Sequence, residues 1–266
     1  MRQWRLIYDC PTPGSHHMAV DDALLRSVVG QPTLRLYAWA PFCLSLGYGQ
    51  RAGDVDEMRL SEWGWDLVRR PSGGRAILHA EELTYSLVLP MSHPLAAGDV
   101  ITSYRRISQA LVRGLEFVGL QPEADRRAGR VSGGPVCFDT PSHYEITWQG
   151  RKLIGSAQLR RQAGILQHGS LPLRGDLARI CDILRYPDEA AREAARQHVR
   201  AHSSTLNQAL SGSSPNWQVV ARAITEGFRE VFKIEFETSE LTPEERELAF
   251  QLKRDVYNQP GWTFRR

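Results

Sequence analysis

A cysteine at position 137 is followed fifteen positions later by a lysine at 152, within "VCFDTPSHYEITWQGRKLIGSAQ". Lysine is scarce in this chain: all but three of its 33 basic residues are arginine, the three being Lys152, Lys233 and Lys253. An ammonium is a compact point charge that can sit against one atom, whereas a guanidinium is a planar fork, so the two are not interchangeable at a reactive centre. A thiol attacks as its thiolate, and a nearby ammonium raises the reactive fraction at neutral pH, which makes Cys137 and Lys152 candidate catalytic residues. Cys137 sits in a Gly/Pro-rich loop entering a strand, where a thiol can be exposed. Cys10 and Cys43 sit in apolar strand contexts, and Cys181 falls on an apolar helical face with Leu177 and Leu184. Lys152 opens the apolar strand "KLIGSAQ", where its head needs a polar cavity; the bland alternatives are a structural cysteine and a lysine that snorkels to solvent.

A second constellation is "RRPSGGRAILH", residues 69 to 79. Two glycines in a tight turn can present backbone N–H groups as an anion nest, with Arg69, Arg70 and Arg75 adding charge around a phosphate or phosphopantetheine. The plainer reading is a Gly-Gly hairpin with surface arginines. It has neither the GKS/T of a Walker loop nor a dinucleotide fingerprint. His79 and His168 close or interrupt strands and are candidate proton shuttles, although a satisfied strand histidine is commoner. No histidine has metal-ligand spacing, so no metal site is expected.

These residues need elements to hold them. "WRLIYDC" reads as a strand and "SHHMAVDDALLRSVVG" as a helix with Ser15 as N-cap and Gly30 as stop. "TLRLYAW" and "FCLSLGYG" read as strands split at Ala40 and Pro41, "DLVRR" and "RAILH" as a hairpin around "PSGG", and "ELTYSLVLP" as a long apolar strand. Tyr104, Ile107, Leu111, Leu115 and Val118 share one face of a helix over residues 102 to 120. "YEITW", "KLIGSAQLR" and "GILQHGSLPL" follow as strands, the last two paired. From about residue 176 the pattern is helical, apart from "VFKIEFE" and a polar patch "QALSGSSPN" that reads as a linker or loop.

With 266 residues, 42% of them hydrophobic, the chain can fill one large α/β domain over residues 1–266, its mostly helical part from 176 to 266 packed on the rest. No apolar run is long enough to span a membrane and "MRQWRLIYDC" lacks a secretory signal, so the expectation is a cytoplasmic protein with reduced thiols and no membrane partner. The net charge of +3, with no aromatic-interleaved basic stripe, argues against nucleic acid and suits encounter with small acidic proteins.

Taken in order, "RRPSGGRAILH", "GRKLIGSAQ" and "GILQHGSL" resemble the biotin/lipoate A/B protein ligase family, closely over about residues 1 to 175. The resemblance implies an α/β fold of the class II biotin/lipoate synthetase type, a mixed sheet flanked by helices. The family holds ATP-dependent lipoate ligases, biotin ligases and cofactor-free acyltransferases. "GGR" replaces the ligases' third glycine, while "ELTYS" and "CFDTPSHYEI" resemble the octanoyltransferase branch. That branch implies Cys137 as acyl-bearing nucleophile, Lys152 lowering its pKa, and no cofactor. Donor and acceptor would be octanoyl-acyl carrier protein and a lysine of a lipoyl-domain protein, the glycine-cleavage H protein. Arg70, Ser72, Gly73, Gly74, Arg75, His79, Gly155, Ala157 and His168 are the implied substrate-binding positions, and Leu44, Leu46, Ile77 and Leu78 are candidates to line an acyl tunnel. Ala80 and His143 stand where the branch has Asp and an aromatic, which bears on substrate shape. An ATP-dependent lipoate ligase, an octanoyl transferase between two lipoyl-domain proteins and a non-catalytic carrier-binding module are the rival readings.

Overall fold

The computed structural model describes residues 2–124, 145–213 and 215–266. The chain begins with β1 (Arg2–Tyr8) and α1 (Gly14–Ser27). The structure departs from the Ser15 cap: Pro13 occupies the cap position without a side-chain bond, and its carbonyl takes the amides of His16 and His17 at 3.0 and 3.3 Å. The helix also stops before Gly30, its C-cap being Val28. There follow β2 (Thr33–Tyr37), β3 (Cys43–Leu46), α2 (Glu57–Glu62), β4 (Asp66–Arg69), β5 (Ile77–His79) and β6 (Glu82–Pro90). α3 (Val100–Phe117) starts where the Asp99 carboxylate accepts the Thr102 amide at 2.7 Å, and it buries Tyr104, Ile107, Leu111 and Leu115 as the spacing predicts. Next come β7 (Glu123–Ala124), β8 (Ile146–Trp148), β9 (Arg151–Arg160) and β10 (Gly164–Pro172). The remainder is α4 (Glu189–His202), α5 (Leu206–Ala209), α6 (Trp217–Phe232), β11 (Ile234–Thr238), α7 (Pro243–Leu252) and α8 (Pro260–Thr263).

The strands form an eight-stranded mixed sheet, ordered β11-β1-β2-β6-β10-β9-β8-β7, and a three-stranded one, β4-β3-β5. Strand alternation divides the core between the faces of the large sheet. Leu87 and Leu89 of β6 join the cluster under α3 and α6, while Val88 joins the cluster under α1 and α7. α3 and α6 approach closely because both present glycine at the crossing: a Cβ on Gly227 would lie 2.3 Å from the Ala110 carbonyl oxygen. The late strand "VFKIEFE" docks as β11, parallel to β1 at the sheet edge, which ties the C-terminal region into the sheet.

The expected "PSGG" hairpin is overturned. β4 and β5 do not pair with each other; β3 lies between them, parallel to β4 and antiparallel to β5. The connection therefore has to cross β3, and the Arg70 side chain spans the crossing. Its guanidinium donates to the Gly73 carbonyl at 3.0 and 3.2 Å, to the Arg75 carbonyl at 2.6 Å and to the Ser45 carbonyl and hydroxyl, both at 3.0 Å. Side-chain donors thus replace the ladder bonds that a hairpin would have made.

Candidate functional site

Lys152 is held by a β-bulge. Along the β8–β9 pair Trp148 faces Arg151 and Thr147 faces Lys152, but Ile146 faces Ile154, so β9 carries one extra residue at Leu153. A bulge resets the alternation of side chains. Leu153 and Ile154, adjacent in sequence, both enter the same core cluster. By that reset Lys152 is turned to the face shared by Gly155 and Ala157. It is buried and ion-paired with the equally buried Glu145, just before β8. The Lys152 carbonyl accepts the Ser204 amide at 2.9 Å, so the segment between α4 and α5 braces the strand from outside.

Between β9, β10, α1 and the small sheet is a cavity of about 20 Å³, with room for about one water molecule. Arg70, His79, Gly155, Ala157 and His168 line it, so five of the substrate-binding positions expected from the sequence converge here. Each histidine is fixed by a carboxylate on one ring nitrogen and a serine on the other. His79 Nδ1 lies 2.8 Å from Glu82 Oε1 and its Nε2 2.8 Å from Ser45 Oγ; His168 Nδ1 lies 3.3 Å from Asp21 Oδ2 and its Nε2 2.6 Å from Ser72 Oγ. A carboxylate only accepts, so in the neutral rings Nδ1 carries the proton and Nε2 accepts the serine O–H. Glu82 also accepts from the hydroxyls of Ser170, at 2.5 Å, and Thr84. The Trp39 ring stacks on His79 at 3.9 Å and donates to Thr84 Oγ1 at 2.8 Å.

The charge below these rings is balanced. Burial alone would raise the Asp21 carboxyl, but the His168 hydrogen bond and the Arg35 guanidinium, 2.8 Å away, hold it below the usual range. Burial and then Arg35 push His17 down to about 2, so the ring is neutral; it donates through Nε2 to the Ala38 carbonyl and accepts from Arg35 through Nδ1, both at 2.8 Å.

The structure does not bear out a free arginine cluster around an anion nest. Arg69 is buried and donates to the carbonyls of Gly47 and Gln50 at 2.7 Å and of Thr263 at 2.9 Å, so Arg69 and Arg70 brace loops. Gly73 and Gly74 are exposed at the loop tip, Gly74 with φ +93°, and Arg75 is half-buried. Of the four tunnel candidates only Ile77 lines the cavity. Leu44 and Leu46 belong to the cluster under the small sheet's other face, against which Leu78 packs, because alternation turns Ser45, Ile77 and His79 inward instead.

Cys137 and His143 lie outside the described residues. Of the described thiols, Cys43 is buried and burial pushes it well above the ordinary value; Cys181 is likewise raised. Cys10, expected in an apolar strand, is instead exposed just past the end of β1, on a groove of about 800 Å³ that also meets Ala80, Leu173 and Trp217. Among the described residues no group of three or more His, Cys, Asp or Glu is placed to hold a metal ion. Sequence reading passed over Asp21, Glu82 and Glu145. Asp21 lies within α1, Glu82 opens the apolar β6 and Glu145 immediately precedes β8; a carboxylate set against an apolar run is the available signal, since a buried charge requires a partner.

Residues 13–229 match the family described as the lipoyl protein ligase A/B catalytic domain. The chain is 42% identical to the octanoyltransferase LipM of Kyrpidia tusciae and 39% identical to that of Carboxydothermus hydrogenoformans, in each case over 100% of both chains. Its fold superposes with a TM-score of 0.84 on the structure of a bi-partite lipoate protein ligase and its E2 lipoyl domain from Thermoplasma acidophilum, at 24% identity over 99% of this chain and 97% of that one. A lipoate-protein ligase A bound with ATP gives 0.80, also at 24% identity, over 98% of both chains.

Proposed function

The chain belongs to the lipoyl protein ligase A/B family, in its LipM-type acyltransferase branch, and on that premise we propose that it transfers an octanoyl group to a lysine of a lipoyl-domain protein in lipoate biosynthesis. The donor is octanoyl-acyl carrier protein and the acceptor the glycine-cleavage H protein. The full-length identity to two octanoyltransferases carries the reading, and the buried Lys152 beside the Gly155 and Ala157 face supports it.

In the first step the Cys137 thiolate attacks the thioester carbonyl, a tetrahedral oxyanion forms, and the carrier's pantetheine thiolate leaves and takes up a proton. Lys152 supplies positive charge, and the amides of the Gly73–Gly74 tip supply donors to the oxyanion, each such donor being worth about 3 kcal/mol in related chemistry. In the second step the neutral ε-amine of the acceptor lysine attacks the acyl-cysteine, gives up a proton and expels the Cys137 thiolate. The thioester carries the activation, so ATP is not required.

The acyl chain goes to the cavity beside His79 and His168, a site that has to widen to take it. Met18, an adaptable lining residue, can move to make room. Each buried CH₂ contributes about 0.8 kcal/mol, so the depth to which the opened pocket admits the chain gives a basis for selecting length. The test is octanoylation of a lipoyl domain from octanoyl-acyl carrier protein without ATP. Product that appears only with ATP and free octanoate would place the chain with the ligases.

A further inference from the structure

The segments packed against the 69–74 stretch carry an arginine cluster to which nothing above gives a role. Arg265 stacks over the Tyr48 ring at 4.2 Å and the Trp262 ring at 5.0 Å. The Arg266 carbonyl accepts the Ala52 amide at 2.8 Å, which brings Arg266 beside Arg51. Arg51, Arg265 and Arg266 are all exposed. Beneath them Arg69 is held below its usual value by burial and then by the charges of Arg265 and Arg266, as expected for like charges crowded together. Asp56, on the same stretch as Arg51, is committed to Arg59 at 3.5 Å. Among the described residues none of Arg51, Arg69, Arg265 and Arg266 makes an ion pair.

This cluster adjoins the 69–74 stretch. The Tyr48 amide donates to the Ser72 carbonyl at 2.9 Å, Trp262 Nε1 donates to the Arg69 carbonyl at 2.9 Å, and a Cβ on Gly47 would lie 1.9 Å from the Gly74 carbonyl oxygen. The 47–51 loop and the 262–266 tail are therefore pressed against the exposed Gly73–Gly74 tip. Exposed positive charge clustered beside this tip favours a negatively charged partner and accelerates its encounter. The Arg265 head, stacked on two aromatic rings, is held at this surface, and the attraction of the cluster comes from its charge.

We infer that Arg51, Arg265 and Arg266 form the docking surface for the acidic protein that delivers the acyl thioester. The inference rests on the thioester-donor reading above. The test compares octanoyl-acyl carrier protein with neutral octanoyl-pantetheine, using the full chain and its Arg265→Glu/Arg266→Glu and Arg51→Glu variants, with Arg265→Lys/Arg266→Lys as the charge-conserving control for folding. The expected result is a KM for the carrier-borne donor raised at least about tenfold at low salt, an effect that disappears at about 0.5 M salt as exposed charges are screened. KM and kcat for octanoyl-pantetheine stay within about twofold, and the lysine variant stays near wild type. Equal losses on both donors, or no loss on either, overturn the docking surface and leave the thioester reading standing. A wild-type protein that consumes neither thioester overturns both.

Discussion

Lys152 and Glu145 form an ion pair whose side chains are 1% and 3% exposed, at the bulged start of the strand that also brings Gly155 and Ala157 to the cavity. Two charges taken out of water are tolerated because each answers the other, and removing one partner strands the second. Glu145→Ala should therefore lower stability by about 3–5 kcal/mol, read as a shift in the urea midpoint. Replacing both together, as Lys152→Met with Glu145→Leu, should restore much of the stability and none of the transferase activity. If the single variant unfolds like the wild type, the pair is not what fixes this strand.

The neutral His17 ring links stability to pH. Its value in the folded protein, about 2, lies below the ordinary 6.5, so between these limits the unfolded chain binds a proton that the folded one refuses. Stability is then full above 6.5 and falls as pH drops, with a limiting slope of about 1.4 kcal/mol per pH unit for one proton. His17→Gln should lose overall stability yet show a flatter profile between pH 6.5 and 5. Parallel wild-type and variant profiles in urea titrations would remove His17 as the cause.

Thiol mapping separates the cysteines. Cys43 and Cys181, both buried and raised, should resist iodoacetamide until the protein is unfolded, whereas exposed Cys10 should react in the native state. On the proposed mechanism Cys137 should be alkylated first, well below pH 8. Peptide mapping that finds Cys137 slower than Cys10 at pH 6.5 would argue against an activated thiolate.

The contact between Gly47 and Gly74 sets the position of the 72–74 tip. A Cβ at position 47 cannot coexist with the Gly74 carbonyl at 1.9 Å, and Gly74 occupies a φ of +93° that other residues rarely adopt. Gly47→Ala should displace the 72–74 tip and cut kcat/KM at least about tenfold, with a smaller effect on the melting temperature. Full activity in the variant would detach this loop from the reaction.

Several of these relationships were legible in the sequence because they are local. The periodicity of α3, the apolar run of β6 and the pairing of β9 with β10 follow from side-chain spacing alone. The convergence of Arg70, His79, Gly155, Ala157 and His168 came through motif resemblance. What escaped is non-local. Nothing in "RRPSGGRAILH" reveals that β3 inserts between the flanking strands, and so Arg70 read as a ligand for anions when it is a brace for the crossing. Alternation fixes which residues share a face but not which face is inward, which is why Leu44 and Leu46, expected to line an acyl tunnel, instead face the core cluster on the other side of the small sheet. The bulge at Leu153, which orients Lys152, depends on the partner strand and leaves no mark in the composition.

The most direct measurement is intact-protein mass spectrometry after mixing the enzyme with octanoyl-acyl carrier protein in the absence of ATP, beside a Cys137→Ala control. The account predicts one octanoyl mass added to the wild type alone, removable by hydroxylamine. No adduct on the wild type, or an equal adduct on Cys137→Ala, would contradict it.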